Sequence, residues 1–252
     1  MAEIRPFRAL RFTPEAGDMR ELVCPPYDII SESQRLSYLK RNPHNIIRLE
    51  LPRDGADPYA EAGRTLREWL EQGILRQDEQ PAFYCYEIAF DLPGMSDISG
   101  MMGGRRSVAG LIAQVKLEEF SKGIVLPHEE TLSKAKADRF ELMKATGCNF
   151  SDVYALYMDD GGEMETLDTL ELIMREAPLT EVTDEAGLVH RLWAVTDPTL
   201  TAAIQARFAD TKLYIADGHH RYETALRYRD TLRAEGVPEG TDADYIMMML
   251  VE

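Results

Sequence analysis

A chain of 252 residues with 44% hydrophobic and 29% charged content can bury a sizeable core and is too apolar to be disordered. Its 44 acidic residues against 28 basic ones leave a net charge of −16, which argues against a protein that coats nucleic acid but leaves room for a small anion in a locally basic pocket. The longest apolar run, YIMMMLV at 245–251, is too short to span a bilayer, and no nucleic-acid or membrane partner is expected.

The N-terminus, MAEIRPFRAL, lacks the basic lead and long apolar core of a signal peptide. Cys24, Cys85 and Cys148 are odd in number and lack metal-type spacing. Both points imply a cytoplasmic protein with reduced thiols.

In chain order, residues 4–12 read as a strand and 14–17 as a turn. VCPPYDII (23–30) reads as extended through its two prolines. SESQ (31–34) is a capping box, which predicts a helix over about 32–41. NIIRLELP (45–52) reads as a strand, and Asp57–Pro58 opens a helix that Gly73 ends. AFYCYEIAF (82–90) and residues 106–120 alternate like strands, joined through a Gly-rich hairpin-like loop.

PHEET (127–131) then starts a helix that runs to about Thr146 and stops at Gly147. VYALYM (153–158) is a strand, METLDTLELIMREA (164–177) a helix and 188–195 a strand. Asp197–Pro198 opens another helix. KLYIADGHHRYETALRYRDTL (212–232) is a strand running into a helix, and the apolar end at 245–251 is ambiguous. The irregular order predicts an α+β fold, a mixed sheet with helices. Residues 1–252 are expected to form one unit, with two subdomains at about 1–120 and 121–252 as the alternative. The stop at LVE, straight after an apolar run, suggests truncation.

Three constellations carry chemistry. In DGHHR, Asp217 has the residue type of an N-cap, and Gly218 lets the backbone turn tightly and approach a ligand. The N–H groups of His219, His220 and Arg221 then face outward at the positive end of the helix, where anions bind. Arg221 adds a planar fork suited to phosphate oxygens, and either histidine can donate to an anion or move a proton. An ordinary capped helix with exposed histidines is the plain alternative.

In residues 127–147, helical spacing puts Glu129, Lys136 and Arg139 in the same sector as Leu132 and Met143, the side that should face the core. Charges there are costly unless paired or used. They form either an internal salt-bridge cluster or a basic wall to a cleft, with Glu129 or His128 available for proton transfer. In CPPYDII, Tyr27 and Asp28 project from a stiff connector, whose role is either structural or binding. Nothing near Cys24 lowers its pKa, so it is a poor nucleophile. The Gly-rich stretch at 100–106 matches no P-loop, the run at 247–249 reads as core, and His44 and His190 read as structural.

CPPYDII, HEETLSKAKADR and ADGHHRYETAL, in that order, resemble the bacterial and archaeal family named domain of unknown function 1015, over residues 4–251. Members of that family usually continue past this sequence's end, which agrees with truncation. ADGHHRYETAL alone is similar to the phosphate-binding segment of the ParB/sulfiredoxin superfamily, which implies a fold like theirs in part. That superfamily includes partition proteins, sulfiredoxin and free-serine kinases. The resemblance implies a phosphate role for Gly218, His219, His220 and Arg221. Histidine stands where sulfiredoxin has its cysteine, and the net charge disfavours DNA partition. Nucleotide-dependent phosphoryl transfer to a small-molecule hydroxyl survives.

The reading that follows is a cytoplasmic enzyme that binds ATP, ADP or another phosphorylated metabolite at Asp217–Arg221, with Mg²⁺. Lys136 and Arg139 would neutralise charge in transfer, and Glu129 or Asp28 would be the base. The alternatives are a non-catalytic sensor of a phosphorylated ligand and a phosphoester hydrolase using His219 or His220.

Overall fold

The computed structural model describes residues 2–91, 105–129, 133–158 and 166–252. The first half runs β1 (Ile4–Arg5), β2 (Leu10–Phe12), α1 (Met19–Leu22), α2 (Glu32–Arg41), α3 (Ile47–Glu50), α4 (Pro58–Glu71), β3 (Leu75–Gln77), β4 (Phe83–Asp91) and β5 (Arg105–Lys116). It continues with β6 (Val125–Leu126), α5 (Ser133–Thr146), β7 (Val153–Leu156), α6 (Thr166–Ile173), β8 (Thr180–Thr183) and β9 (Val189–Val195). The last elements are α7 (Pro198–Phe208), β10 (Leu213–Asp217), α8 (His219–Ala234) and β11 (Tyr245–Val251). The fold is α+β.

One mixed sheet has the order β6-β10-β7-β11-β5-β4-β9-β8, with β1 added beside β5. The pairs β6–β10 and β7–β11 are parallel, and the other ladders of this sheet are antiparallel. β2 and β3 form a separate antiparallel pair. Period-two alternation explains β5: Leu111, Ala113 and Val115 are buried on one face, with Ile112 and Gln114 less so on the other. The main core gathers residues from Ala2 to Leu250 on this sheet and its helices. A second cluster, including Leu22, Leu49, Trp69 and Leu142, joins the N-terminal helices to α5. No described helix is long and apolar enough to cross a membrane.

Local signals account for most helix limits. Ser31 and Gln34 form the capping box of α2, and Asp57 and Asp197 cap α4 and α7 with proline in the first turn. Four expectations need correction. The strand expected over 4–12 splits into β1 and β2, with Pro6 between them. In VCPPYDII the stretch around the prolines is extended, but residues 27–29 form a short helical turn.

NIIRLELP holds the one-turn helix α3 and no strand. Asn45 accepts the Ile47 N–H at 3.0 Å and donates its amide to the carbonyls of Glu21 and Val23, at 2.6 and 3.2 Å. Leu49 joins one apolar cluster while Ile47 and Leu51 join another, so the turn is buried on more than one side. Alternating apolar residues cannot tell such a turn from a strand. Finally, α5 begins at Ser133, so His128 and Glu129 precede it, and the helical sector assigned to Glu129 does not apply.

The ambiguous end is β11, paired with both β5 and β7. Residues 100–104 of the Gly-rich stretch, Leu132, the start of 164–177 and the side chains of Lys134 and Lys136 lie outside the described residues.

Candidate functional site

The parallel pairing of β6 with β10 sets Val125 beside Leu213 and Leu126 beside Tyr214. The two chains therefore leave the sheet at the same end, where ligands of open α/β sheets commonly bind. His128 and Glu129 follow β6, and Gly218 with α8 follows β10. His128 Nδ1 donates to the Ile215 carbonyl at 2.7 Å, and its backbone N–H reaches His219 Nε2 at 3.3 Å. His219 Nδ1 lies 3.1 Å from Glu129 Oε1, and the two imidazoles meet edge to face at 4.5 Å between centroids. His219 is only 1% exposed, whereas Glu129 and His128 are exposed. Burial lowers the His219 pKa, against an opposing pull from the Glu129 carboxylate.

Gly218 is the N-cap of α8, at φ 89° and ψ 24°, and no side chain caps the helix. Asp217 is therefore not the N-cap expected from its residue type. It is the last residue of β10, and its carboxylate pairs with the Arg221 guanidinium four residues on. That guanidinium also donates to the Asp152 carbonyl. Its fork is thus held by protein groups and does not stand open. A Cβ on Gly218 would sit 3.0 Å from Arg221 Nε and 3.1 Å from Cζ. Gly218→Ala combines left-handed backbone strain with displacement of Arg221, and should cost about 1–2 kcal/mol. Urea unfolding checks this, and an unchanged midpoint would contradict the described turn. His220 is partly buried in the first turn of α8.

Deeper in, the three sequence motifs meet. α5 packs against α8, and Arg139 and Arg221 line one cavity between them, of about 40 Å³. Arg139 is 7% exposed, and its guanidinium stacks over the Tyr27 ring with Cζ 4.1 Å from the centroid. It donates to the Glu50 carbonyl at 2.7 Å and lies 3.8 Å from the Glu50 carboxylate. Glu50 is 5% exposed and also accepts the Ser151 hydroxyl. Burial raises the Glu50 pKa, with Ser151, Arg139 and Arg221 pulling it back. Burial likewise raises Asp152, with Arg221 opposing.

Among the described residues, Thr224 Oγ1, in a side chain on the cavity wall, is buried without a hydrogen-bond partner. The Arg139 guanidinium pairs with the Asp138 carboxylate, Nη2 at 2.6 Å and Nε donating at 2.8 Å. Arg221 and Thr224, three residues apart, share a face of α8.

A family model described as protein of unknown function (DUF1015) matches residues 4–252. The chain belongs to this family. No curated protein and no solved structure matches it.

In this DUF1015 member the expected residues divide into two neighbouring groups. His128, Glu129 and His219 stand at the strand ends, while Arg139 and Arg221 enclose the cavity. The salt-bridge cluster weighed for Glu129 and Arg139 takes another form: Glu129 pairs with His219, and Arg139 with Asp138 and Glu50. Asp28 is exposed; burial raises the pKa of Tyr27 and of Glu50, and the Asp28 charge adds only a minor upward push to each. Cys24, pushed up to about 12 mainly by burial, is no nucleophile. Glu50, Ser151 and Asp152 escaped sequence reading because each lies in a stretch with no motif. Thr224 stood inside a motif without a chemical signal.

Proposed function

We propose that this protein binds the phosphate of a nucleotide or similar metabolite at the start of α8 and transfers a phosphoryl group to a small-molecule hydroxyl. The observation that carries the reading is the cavity between α5 and α8. Two arginines from separate motifs line it, and a buried hydroxyl on its wall, Thr224 Oγ1, has no hydrogen-bond partner among the described residues. A phosphate oxygen supplies the acceptor that hydroxyl lacks. The N-terminus of the 16-residue helix α8, in the turn that carries Arg221, also favours negative charge. The similarity of ADGHHRYETAL to phosphate-binding segments points the same way.

At about 40 Å³ the cavity is far below the roughly 300–1,000 Å³ of a ligand pocket. The nucleotide body therefore lies outside it, and only phosphate oxygens approach its wall. Arg221 exchanges the Asp217 carboxylate for phosphate, and Arg139, held by Tyr27 and Glu50, offsets charge that develops in transfer. The ligand's Mg²⁺ neutralises further charge. Asp28 takes the proton of the acceptor hydroxyl, with His220 flanking the phosphates.

The test is thermal unfolding against ATP, ADP, AMP and pyrophosphate, with and without Mg²⁺. A ligand at a hundred times its dissociation constant should stabilise the protein by about 2.7 kcal/mol. That corresponds to a rise of roughly 5–10 °C for a chain this long. Arg221→Ala should abolish the rise. Thr224→Val should weaken it while stabilising the free protein by about 1 kcal/mol, since an unsatisfied buried hydroxyl is removed. No rise with any of the four ligands would overturn the reading.

A further inference from the structure

We propose that His128, Glu129 and His219 form a binding site for a divalent first-row transition ion, with zinc the simplest occupant. Each residue offers one ligand atom, and these atoms lie within 4.8 Å of one another. Around an ion with bonds of about 2.0–2.1 Å, tetrahedral donors sit roughly 3.4 Å apart. Rotation of the exposed Glu129 side chain, with a small tilt of His128 about its hydrogen bond to Ile215, closes that difference.

The surroundings are those of a ligand set. His128 donates Nδ1–H to the Ile215 carbonyl, which fixes its ring and leaves Nε2 with a free lone pair. A histidine that donates its second ring N–H to a backbone carbonyl is oriented as metal-bound histidines usually are. His219 Nε2 accepts the His128 backbone N–H, so Nδ1 is the nitrogen turned to Glu129. Binding forms a coordinate bond from that Nδ1, and its proton leaves to solvent. One element positions each side of the set: the chain leaving β6 carries two ligands, and the first residue of α8 carries the third. The parallel β6–β10 ladder holds those elements in register.

The donors select the ion. Two imidazoles and one carboxylate suit zinc, iron(II), cobalt or manganese, whereas magnesium and calcium prefer oxygen ligands. Three protein ligands leave at least one position for water or a substrate oxygen. This site is separate from the Mg²⁺ that travels with a nucleotide. It does not rest on the phosphoryl-transfer reading, because its test uses the ion alone.

The purified full chain, freed of metal by a chelator and dialysed, is titrated with Co²⁺ and with Zn²⁺ against a chromophoric chelator. One equivalent of Co²⁺ per chain should bind, giving visible d–d absorption of the intensity of a four- or five-coordinate ion. Zn²⁺ should displace it, and excess Mg²⁺ should not. Loss of an outer partner already costs metal sites about 10–100-fold in affinity, so Glu129→Gln and His128→Ala should each weaken Zn²⁺ by at least ~100-fold. Both side chains are exposed, and far-UV circular dichroism with metal-free thermal unfolding confirms that each variant is folded. Absence of a stoichiometric Co²⁺ signal in the parent overturns the site. So does full Zn²⁺ affinity in either folded variant.

Discussion

Replacing Arg139 by methionine is expected to lower the unfolding free energy by about 3–5 kcal/mol, because it strands one partner of a buried ion pair. The side chains of Arg139 and Glu50 are only 8% and 6% exposed, so solvent screens their attraction little. Arg139 also gives up its stacking on Tyr27 and its hydrogen bond to the Glu50 carbonyl. The loss should depend on pH in a direction that can be worked out. Burial holds the Glu50 pKa above its ordinary value, so the folded state binds this proton more tightly than the unfolded chain.

Stability from that proton is fully present below the unfolded value, about 4.3, and is lost as pH rises through the folded value. Without Arg139 the folded value rises further, since one of the groups pulling it down is gone. The deficit of the variant relative to the parent should therefore grow above the ordinary carboxylate range and shrink in acid. Urea unfolding of both proteins across pH measures it. An equal deficit at every pH would place the cost in packing and not in the Glu50 charge.

The second large effect concerns the sheet. Gly110→Val should cost about 3 kcal/mol, the upper part of the usual range for overpacking. A Cβ at Gly110 would lie 2.7 Å from Val251 Cγ2, 2.9 Å from Met249 Cε and 2.9 Å from the Leu250 carbonyl oxygen. The two side-chain ends can turn away, but the carbonyl belongs to the β11 backbone and moves only with the strand. Valine's preference for strands, at most ~1 kcal/mol, does not offset this. Urea unfolding gives the cost, and hydrogen exchange should show lost protection of β11 amides paired with β5. An unchanged exchange pattern would mean that β11 does not approach Gly110 as described.

Both variants probe contacts between segments far apart in the chain, and such contacts mark where sequence reading stopped. Local chemistry was legible. Ser31 with Gln34, Asp57 before Pro58, and Asp197 before Pro198 marked helix starts, because a cap acts within one turn of its own backbone. The motifs CPPYDII, HEETLSKAKADR and ADGHHRYETAL carried the family, which covers 4–252. Alternation in 82–90 and 106–120 was enough for β4 and β5, which are paired antiparallel.

Elements without such local signals were settled by burial. NIIRLELP became a turn of helix because Asn45 bonds to Glu21 and Val23, a contact that no window of its own sequence contains. YIMMMLV became a strand because β5 and β7 both offered it backbone partners. Asp217 looked like a cap, yet its carboxylate faces Arg221 because Gly218 turns the chain first. Glu50 carried no signal at all, and only the packing of α3 against Arg139 made it part of a site. The sequence by itself determined the residue types and the helix starts, which depend on neighbours within a few positions. The tertiary structure alone decided that Arg139 meets Arg221 and that His128 meets His219. Those pairings depend on the strand order of the sheet, which arises from long-range backbone partners and shared burial.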